Sequence, residues 1–307
     1  MGCRGRHGAE AVSARRLGRL VIAAPYLWLL LFFLAPFAIV LRLALSDAAT
    51  AMPPYAPHFE GFSQIGEFLS QLDSENFRLL GDDALYWQSY LYSLKLAALT
   101  TLAALAIAYP LAYAMAAAPR RWRGLLLTLV ILPFWTSFLI RVYAWIGILR
   151  PEGLLDAALM GLGLTDEPLR LLNTEAAVLI GMVYSYLPFM VLPLFATLDK
   201  LDRGLLEAAA DLGAAPLTAF LTVTLPLSLP GILAGSALVF IPAVGEFVIP
   251  DLLGGPDTVM IGKVLWTEFF SNRDWPLASA IAVVLLVVLV LPLVLLQRAR
   301  LAREGVS

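Results

Sequence analysis

The sequence predicts an all-α membrane protein with six transmembrane helices and both termini in the cytoplasm. Three observations carry that expectation. The 307 residues are 60% hydrophobic and only 14% charged, whereas soluble domains run nearer half apolar and a quarter charged. Six apolar stretches are each long enough to cross a hydrocarbon core of about 30 Å, which takes roughly 20 helical residues. Basic residues gather on alternate connecting segments, as they do when those segments stay on the cytoplasmic side.

The stretches fall at 20–45, 90–118, 124–149, 176–198, 229–253 and 277–296. They are long and continuous rather than short and alternating, so helices are expected and not barrel strands. Before the first span lies a tail, 1–19, in which Arg15-Arg16 resembles a twin-arginine export signal. The apolar run that follows is too long for a signal-peptide core, and no small-x-small cleavage site closes it, so it is read as a span. Residues 20–297 then form one six-span domain, with a short tail at 298–307.

Charge sets the orientation. With the N-terminus inside, thirteen basic residues lie on inner segments: Arg4, Arg6, Arg15, Arg16, Arg19, Arg120, Arg121, Arg123, Lys200, Arg203, Arg298, Arg300 and Arg303. Five lie outside and three, Arg42, Lys95 and Arg141, fall within spans. The first outer loop, 46–89, is long and acidic, and no separate domain is expected in it. Prolines occur inside five spans, among them Pro36, Pro110, Pro133, Pro188, Pro193, Pro242 and Pro250. Each removes a backbone hydrogen bond and is expected to kink its helix.

Several chemistries are excluded. Cys3 is the one cysteine and His7 and His58 the only histidines, so no intrachain disulfide, clustered metal site or His-dependent hydrolase is expected. No Gly-x-x-x-x-Gly-Lys-Ser/Thr loop is present, so this chain is not expected to hold ATP, a metal or another cofactor. The net charge of −2 offers no basic face for nucleic acid.

The loop at 199–227 carries the most information. From Leu205 to Leu212 it is rich in Leu, Ala and Glu, which favour helix. Leu205, Ala209 and Leu212 share one face and make a small apolar stripe. Gly213 supplies a left-handed residue to end that helix, and Pro216 is suited to open a second short helix. A helix–turn–helix elbow on the inner surface would have no lipid to bury its stripe, and is shaped to dock in a partner's groove.

Glu207-Ala208-Ala209, three residues, Gly213, nine residues, then Val223-Thr224-Leu225-Pro226 resembles the signature loop of the binding-protein-dependent ABC importer permeases. Only Val223 departs from the pattern, which has Ile there. The similarity extends to segments 132–147, 244–257 and 269–276, which look like the polyamine (spermidine/putrescine) branch, most of all a putrescine importer's first permease subunit. The resemblance implies an ABC importer type I permease fold in the bacterial cytoplasmic membrane. It implies that Glu207, Ala208, Ala209, Gly213 and Pro226 couple to an ATPase subunit dimer, which binds the ATP. It also implies a second homologous permease and a periplasmic or extracellular polyamine-binding protein. A permease for another small solute and a secondary transporter stand as alternatives.

Ionisable groups within spans are rare and face cavities or partners. Glu246, in the outer half of the fifth span, is read either as a carboxylate that attracts a protonated amine or as the partner of Arg141 in a structural ion pair. Trp135 and Tyr143 on the third span offer aromatic faces to a cation, or anchor the span at the interface. Glu246, Trp135, Tyr143 and Arg141 are thus the candidate substrate-path residues. Lys95 and Arg42 are expected to snorkel, and Asp251 and Asp257, which flank the Gly254-Gly255-Pro256 turn, are read either as contacts for a docking protein or as solvating the loop.

Overall fold

Helix dominates the computed structural model, which describes residues 22, 23, 25–57 and 72–304. The chain divides into two compact units. One combines the N-terminal segment up to Asp82 with the C-terminal segment from Glu268, and the other is Asp83–Thr267.

In the first unit, α1 (Pro25–Ala44) packs against α12 (Trp275–Glu304). A π-helical turn at Leu30–Leu34 interrupts α1 two residues before Pro36. Proline cannot donate to the carbonyl four residues back, and a widened turn accommodates the lost bond without breaking the helix. The outer loop is not featureless. Asp47–Ala48 and Tyr55–Ala56 form a two-residue antiparallel ladder, β1 and β2. Helix α2 (Glu75–Asp82) is tied to the end of α1 by Asn76, whose amide donates to the Ala44 and Ser46 carbonyls at 3.1 and 2.8 Å.

The second unit holds α3 (Ala84–Ala117), α4 (Arg120–Ile131), α5 (Phe138–Leu149), α6 (Leu154–Gly161), α7 (Glu175–Leu198), α8 (Arg203–Asp211), α9 (Pro216–Val244), α10 (Val248–Leu253) and α11 (Ile261–Trp266). Its core is the mutual packing of α3, α7 and α9. The buried row of α9 is Ser228, Gly231, Gly235, Val239 and Ala243, and that of α3 includes Ala97, Thr100, Ala104, Ala108 and Ala112. Small residues at helical spacing let membrane helices approach closely, where no hydrophobic force between lipid and helix favours association.

Gly231 and Gly235 make the approach possible. A Cβ on Gly231 would lie 2.9 Å from the Pro193 carbonyl oxygen and 2.6 Å from Thr197 Oγ1, and one on Gly235 would lie 2.7 Å from Met190 Sδ. Gly231→Leu is therefore expected to force α7 and α9 apart, destabilising the chain by about 1–3 kcal/mol. Thermal unfolding of the purified chain in detergent tests this, and an unchanged midpoint would contradict it.

Five described helices are long and apolar enough to cross a membrane, or six if the bent pair Arg120–Trp135 and Phe138–Gly161 counts as one. The expected third span at 124–149 is thus not one straight helix but turns by 88°. Pro133 tightens the chain into a 3₁₀ turn at Leu132–Trp135, and Thr136 and Ser137 are extended before α5 begins. The expected fifth span at 229–253 is corrected at both ends. Its helix starts at Pro216, stops at Val244, and gives way to the separate α10. The second span starts at Ala84 rather than residue 90; its 34 residues make a helix of about 51 Å at 1.5 Å per residue, longer than the bilayer core. The start of the first span at residue 20 lies outside the described residues. Pro110, Pro188 and Pro193 sit within unbroken helices, so proline content alone did not indicate where the chain breaks.

Candidate functional site

Two regions of the second unit carry the candidate residues. The elbow begins where Asp202, as N-cap of α8, accepts from the Gly204 amide at 2.9 Å. Gly213 ends α8 with a φ of +82°, the left-handed conformation its sequence position predicts. The Gly213 amide donates to the Ala210 carbonyl at 2.9 Å and the Ala214 amide to the Ala209 carbonyl at 3.0 Å. This pair of reversed bonds is the Schellman arrangement, which satisfies carbonyls that a helix end leaves orphaned. Glu207 and Ala208 are exposed, Ala209 is half-buried, and Leu212 retains 89% of its surface. Among the described residues, the ends of the apolar stripe, Leu205 and Leu212, therefore stand largely uncovered.

The second arm of the elbow differs from expectation. Pro216 does open a helix, but it is not a separate short one. It runs through a π turn at Phe220–Thr224 into the long α9. Pro226 lies two residues past that turn and is exposed, repeating the relation of Pro36 to the π turn of α1. The second arm is thus continuous with a long helix that packs in the bundle. Phe220 is wedged edge-on against Tyr109 and Tyr113, with ring centres 5.6 and 6.4 Å away. Tyr109 also bonds Ser228 at 2.9 Å.

The second region is the break between α9 and α10. Glu246 lies within it, 8% exposed. Its Oε1 accepts the amides of Phe247, Val248 and Ile249 at 3.1, 3.0 and 3.4 Å, the orphan donors of the first turn of α10. Its Oε2 accepts the Tyr186 hydroxyl at 2.5 Å. A carboxylate held by several donors at a helix N-terminus is a strong, charge-assisted arrangement. Phe247 stacks on Trp266 at 4.6 Å beside it. The turn after α10 is held by the Asn173 amide, which donates to the Leu253 carbonyl at 3.0 Å, and the start of α11 by the Ile261 amide on Ser93 Oγ at 2.8 Å.

Among the described residues, Glu246 and Arg141 form no ion pair, which corrects one of the two sequence readings. The 88° bend sets α5, which carries Arg141, on a different course from a straight span. The Arg141 guanidinium instead lies over the Phe134 ring at 4.8 Å and the Phe138 ring at 5.8 Å, and its buried Nε and Nη1 have no acceptor among the described residues. Phe134 meets Phe189 edge-on at 5.1 Å, and Phe189 neighbours Tyr186 at 6.3 Å. Three rings therefore link Arg141 to Glu246 where a direct pair was expected. Trp135 and Tyr143 expose 76% and 59% of their surface.

Lys95 does not merely snorkel, because it pairs with Glu175 at 2.8 Å. Asp251 pairs with Lys263 at 3.1 Å. Arg42 reaches the Pro57 carbonyl at 3.3 Å and lies over Tyr55. Sequence reasoning missed Tyr186, Phe189 and Phe134. The available signal was a hydroxyl-bearing ring in the middle of an apolar run, where a buried Tyr hydroxyl needs a partner.

The family described as "Binding-protein-dependent transport system inner membrane component" matches residues 108–303. The chain is 46% identical over 217 residues to the spermidine/putrescine transport system permease protein PotB of Escherichia coli K12, covering 71% of this chain and 79% of that one. It is 40% identical over 281 residues to the protein of the same name from Haemophilus influenzae, covering 92% and 93%. Among solved structures it resembles a bacterial ABC transporter that imports the acidic polysaccharide alginate, with a TM-score of 0.65 at 18% identity over 95% of this chain and 99% of the other. That likeness is one of fold. By the extent of the family match and the identity to these relatives, this chain belongs to the binding-protein-dependent transport system inner membrane components and is the permease subunit of an ABC importer.

Proposed function

We propose that this chain moves a polyamine, putrescine or spermidine, across the bacterial inner membrane. In this reading it has six spans in the type I permease arrangement, with both termini in the cytoplasm. It works with a second homologous permease, a dimer of ATPase subunits that bind the ATP, and a periplasmic polyamine-binding protein. The relatives named as spermidine/putrescine permeases support the cargo. The related alginate transporter, whose structure includes a periplasmic protein bound to an alginate pentasaccharide, supports the binding-protein partner.

The observation that carries the mechanical part is the uncovered elbow. Its apolar stripe and Glu207, Ala208 and Ala209 lie on α8, Gly213 sets its bend, and Pro226 lies where its second arm enters the bundle. An amphipathic helix that exposes its apolar stripe is suited to a groove in a partner. Closure of the ATPase dimer would draw α8, and the continuous second arm would pass the displacement to α9. Rigid rocking of helices around a fixed path is a common way to expose that path to each side in turn.

Along the path, Glu246 supplies the negative charge and Trp135 and Tyr143 supply exposed ring faces for an ammonium. In the observed state the carboxylate is occupied by Tyr186 and three amides. An amine reaching Glu246 would have to displace the Tyr186 hydroxyl, which makes cargo binding a competition with an internal partner. Arg141, resting on Phe134, holds a ring face that cargo would otherwise take.

Two measurements test the reading. Proteoliposomes bearing the whole complex are expected to accumulate radiolabelled putrescine or spermidine only with ATP inside. Uptake without the ATPase subunit would favour a secondary transporter, and ATP-driven uptake of other solutes but no amine would favour a different cargo. In a Cys3→Ser background, Leu212→Cys is expected to crosslink to the ATPase subunit. Failure to do so would remove the docking role of the elbow.

A further inference from the structure

Arg123 lies in the first turn of α4, and Asp199 is the C-cap residue of α7. Each charge sits at the wrong end of its own helix, a cation at the positive N-terminus and an anion at the negative C-terminus. One contact between them compensates both. The Arg123 Nη1 meets Asp199 Oδ1, and its Nε donates to the Ala118 carbonyl at 2.9 Å. Ala118 is in turn the C-cap of α3. A single planar guanidinium, with donors in a fixed fork, therefore joins the ends of three helices. The two side chains keep 19% and 35% of their exposure, so the pair is partly shielded from solvent and salt.

The same two residues line a recess of about 340 Å³ whose other wall is formed by Leu201, Leu206 and Glu207 of the elbow. Only Lys200 and Leu201 separate Asp199 from Asp202, the N-cap of α8. A displacement of α8 toward or away from the bundle reaches Asp199 first along the chain. With α7 acting alone, bending of that short link would absorb it. Through Arg123 it is shared with the ends of α3 and α4.

We propose that Arg123 and Asp199 form a clasp that positions the first arm of the elbow and transmits its motion to α3 and α4 together with α7. This rests on the elbow being the ATPase-docking element, and adds a second route beside the continuous arm into α9. Both residues are positioning residues and touch neither nucleotide nor cargo.

The test uses the assembled importer in nanodiscs, with the binding protein loaded with putrescine in one series and spermidine in another. Arg123→Gln and Asp199→Asn are expected to keep basal ATP hydrolysis and the Leu212→Cys crosslink to the ATPase, while the stimulation by loaded binding protein falls about tenfold. The charge reversal Arg123→Asp with Asp199→Arg is expected to recover at least half of that stimulation. Stimulation within twofold of wild type in both single variants overturns the clasp, as does a reversal that recovers nothing. Loss of the crosslink in the otherwise unaltered chain would instead defeat the docking reading, so the two failures are distinguishable. Should the neutral variants yield no complex, Arg123→Lys carries the test. Its ammonium keeps the charge beside Asp199 but lacks the planar fork that fixes Asp199 and the Ala118 carbonyl together, and intermediate stimulation is expected; full stimulation overturns the proposal.

Discussion

Gly213→Pro is expected to abolish cargo-stimulated ATP hydrolysis by the assembled importer while leaving the chain in the membrane. The φ of +82° at Gly213 is far from the value near −65° that a proline ring imposes. The substitution also removes the amide that donates to the Ala210 carbonyl, and displaces Ala214, whose amide caps Ala209. The strain falls on the elbow rather than the core, because a Cβ at this position would meet nothing within 4 Å. Helix α8 would then end differently and present Glu207 and the stripe at another angle. Gly213→Asn is the matched control, since Asn enters the left-handed region more readily than other residues with side chains. It is expected to retain most of the stimulation. ATPase assays with and without loaded binding protein, on complexes matched for membrane content, decide the matter. Normal stimulation in the proline variant would remove the coupling role from this bend.

Glu246 is where the second large effect is expected. Glu246→Ala would leave the amides of Phe247, Val248 and Ile249 and the Tyr186 hydroxyl without their acceptor in a buried setting. Each stranded donor costs about 1–3 kcal/mol, less whatever neighbours and water recover. Loss of folded chain is the expected outcome, read as a fall in the thermal midpoint and in yield. Glu246→Gln is the informative variant. Its amide oxygen still accepts the α10 amides, so the break survives, but the negative charge is gone. Transport of a dicationic amine is expected to fall by tenfold or more, about 1.4 kcal/mol or above in the rate-limiting step, while a neutral solute carried by the same complex changes little. Equal loss for both solutes would assign Glu246 to structure alone. Tyr186→Phe separates the two roles further. Removing the hydroxyl frees Oε2 without touching the amides, so cargo affinity is expected to rise if amine and phenol compete.

Much of the architecture was legible in the chain itself. Long continuous apolar runs suit helices that cross a bilayer, because lipid satisfies no backbone group, and most of each run is helical among the described residues, with breaks at 136–137 and 245–247. The end of α8 was legible because only a residue without a Cβ takes the left-handed turn cheaply. Glycine between a helix-forming run and a proline marked that bend, and Gly213 adopts it.

What the sequence by itself determined, then, was the mostly helical, apolar character of the chain, the first arm of the elbow and the family, since each depends on local propensity, solvent preference or a contiguous motif. Only the tertiary structure decided who partners whom. Arg141 and Glu246 looked complementary by charge and depth, yet the bend after Trp135 directs Arg141 onto Phe134, and Glu246 is taken by Tyr186 and the first turn of α10. Nor did proline positions indicate the breaks, because a widened turn can absorb a missing amide in one helix, as before Pro36 and Pro226, and not in another. The Arg123–Asp199 contact spans 76 residues of chain, and pairings at that range follow from how helices cross, which no local rule encodes.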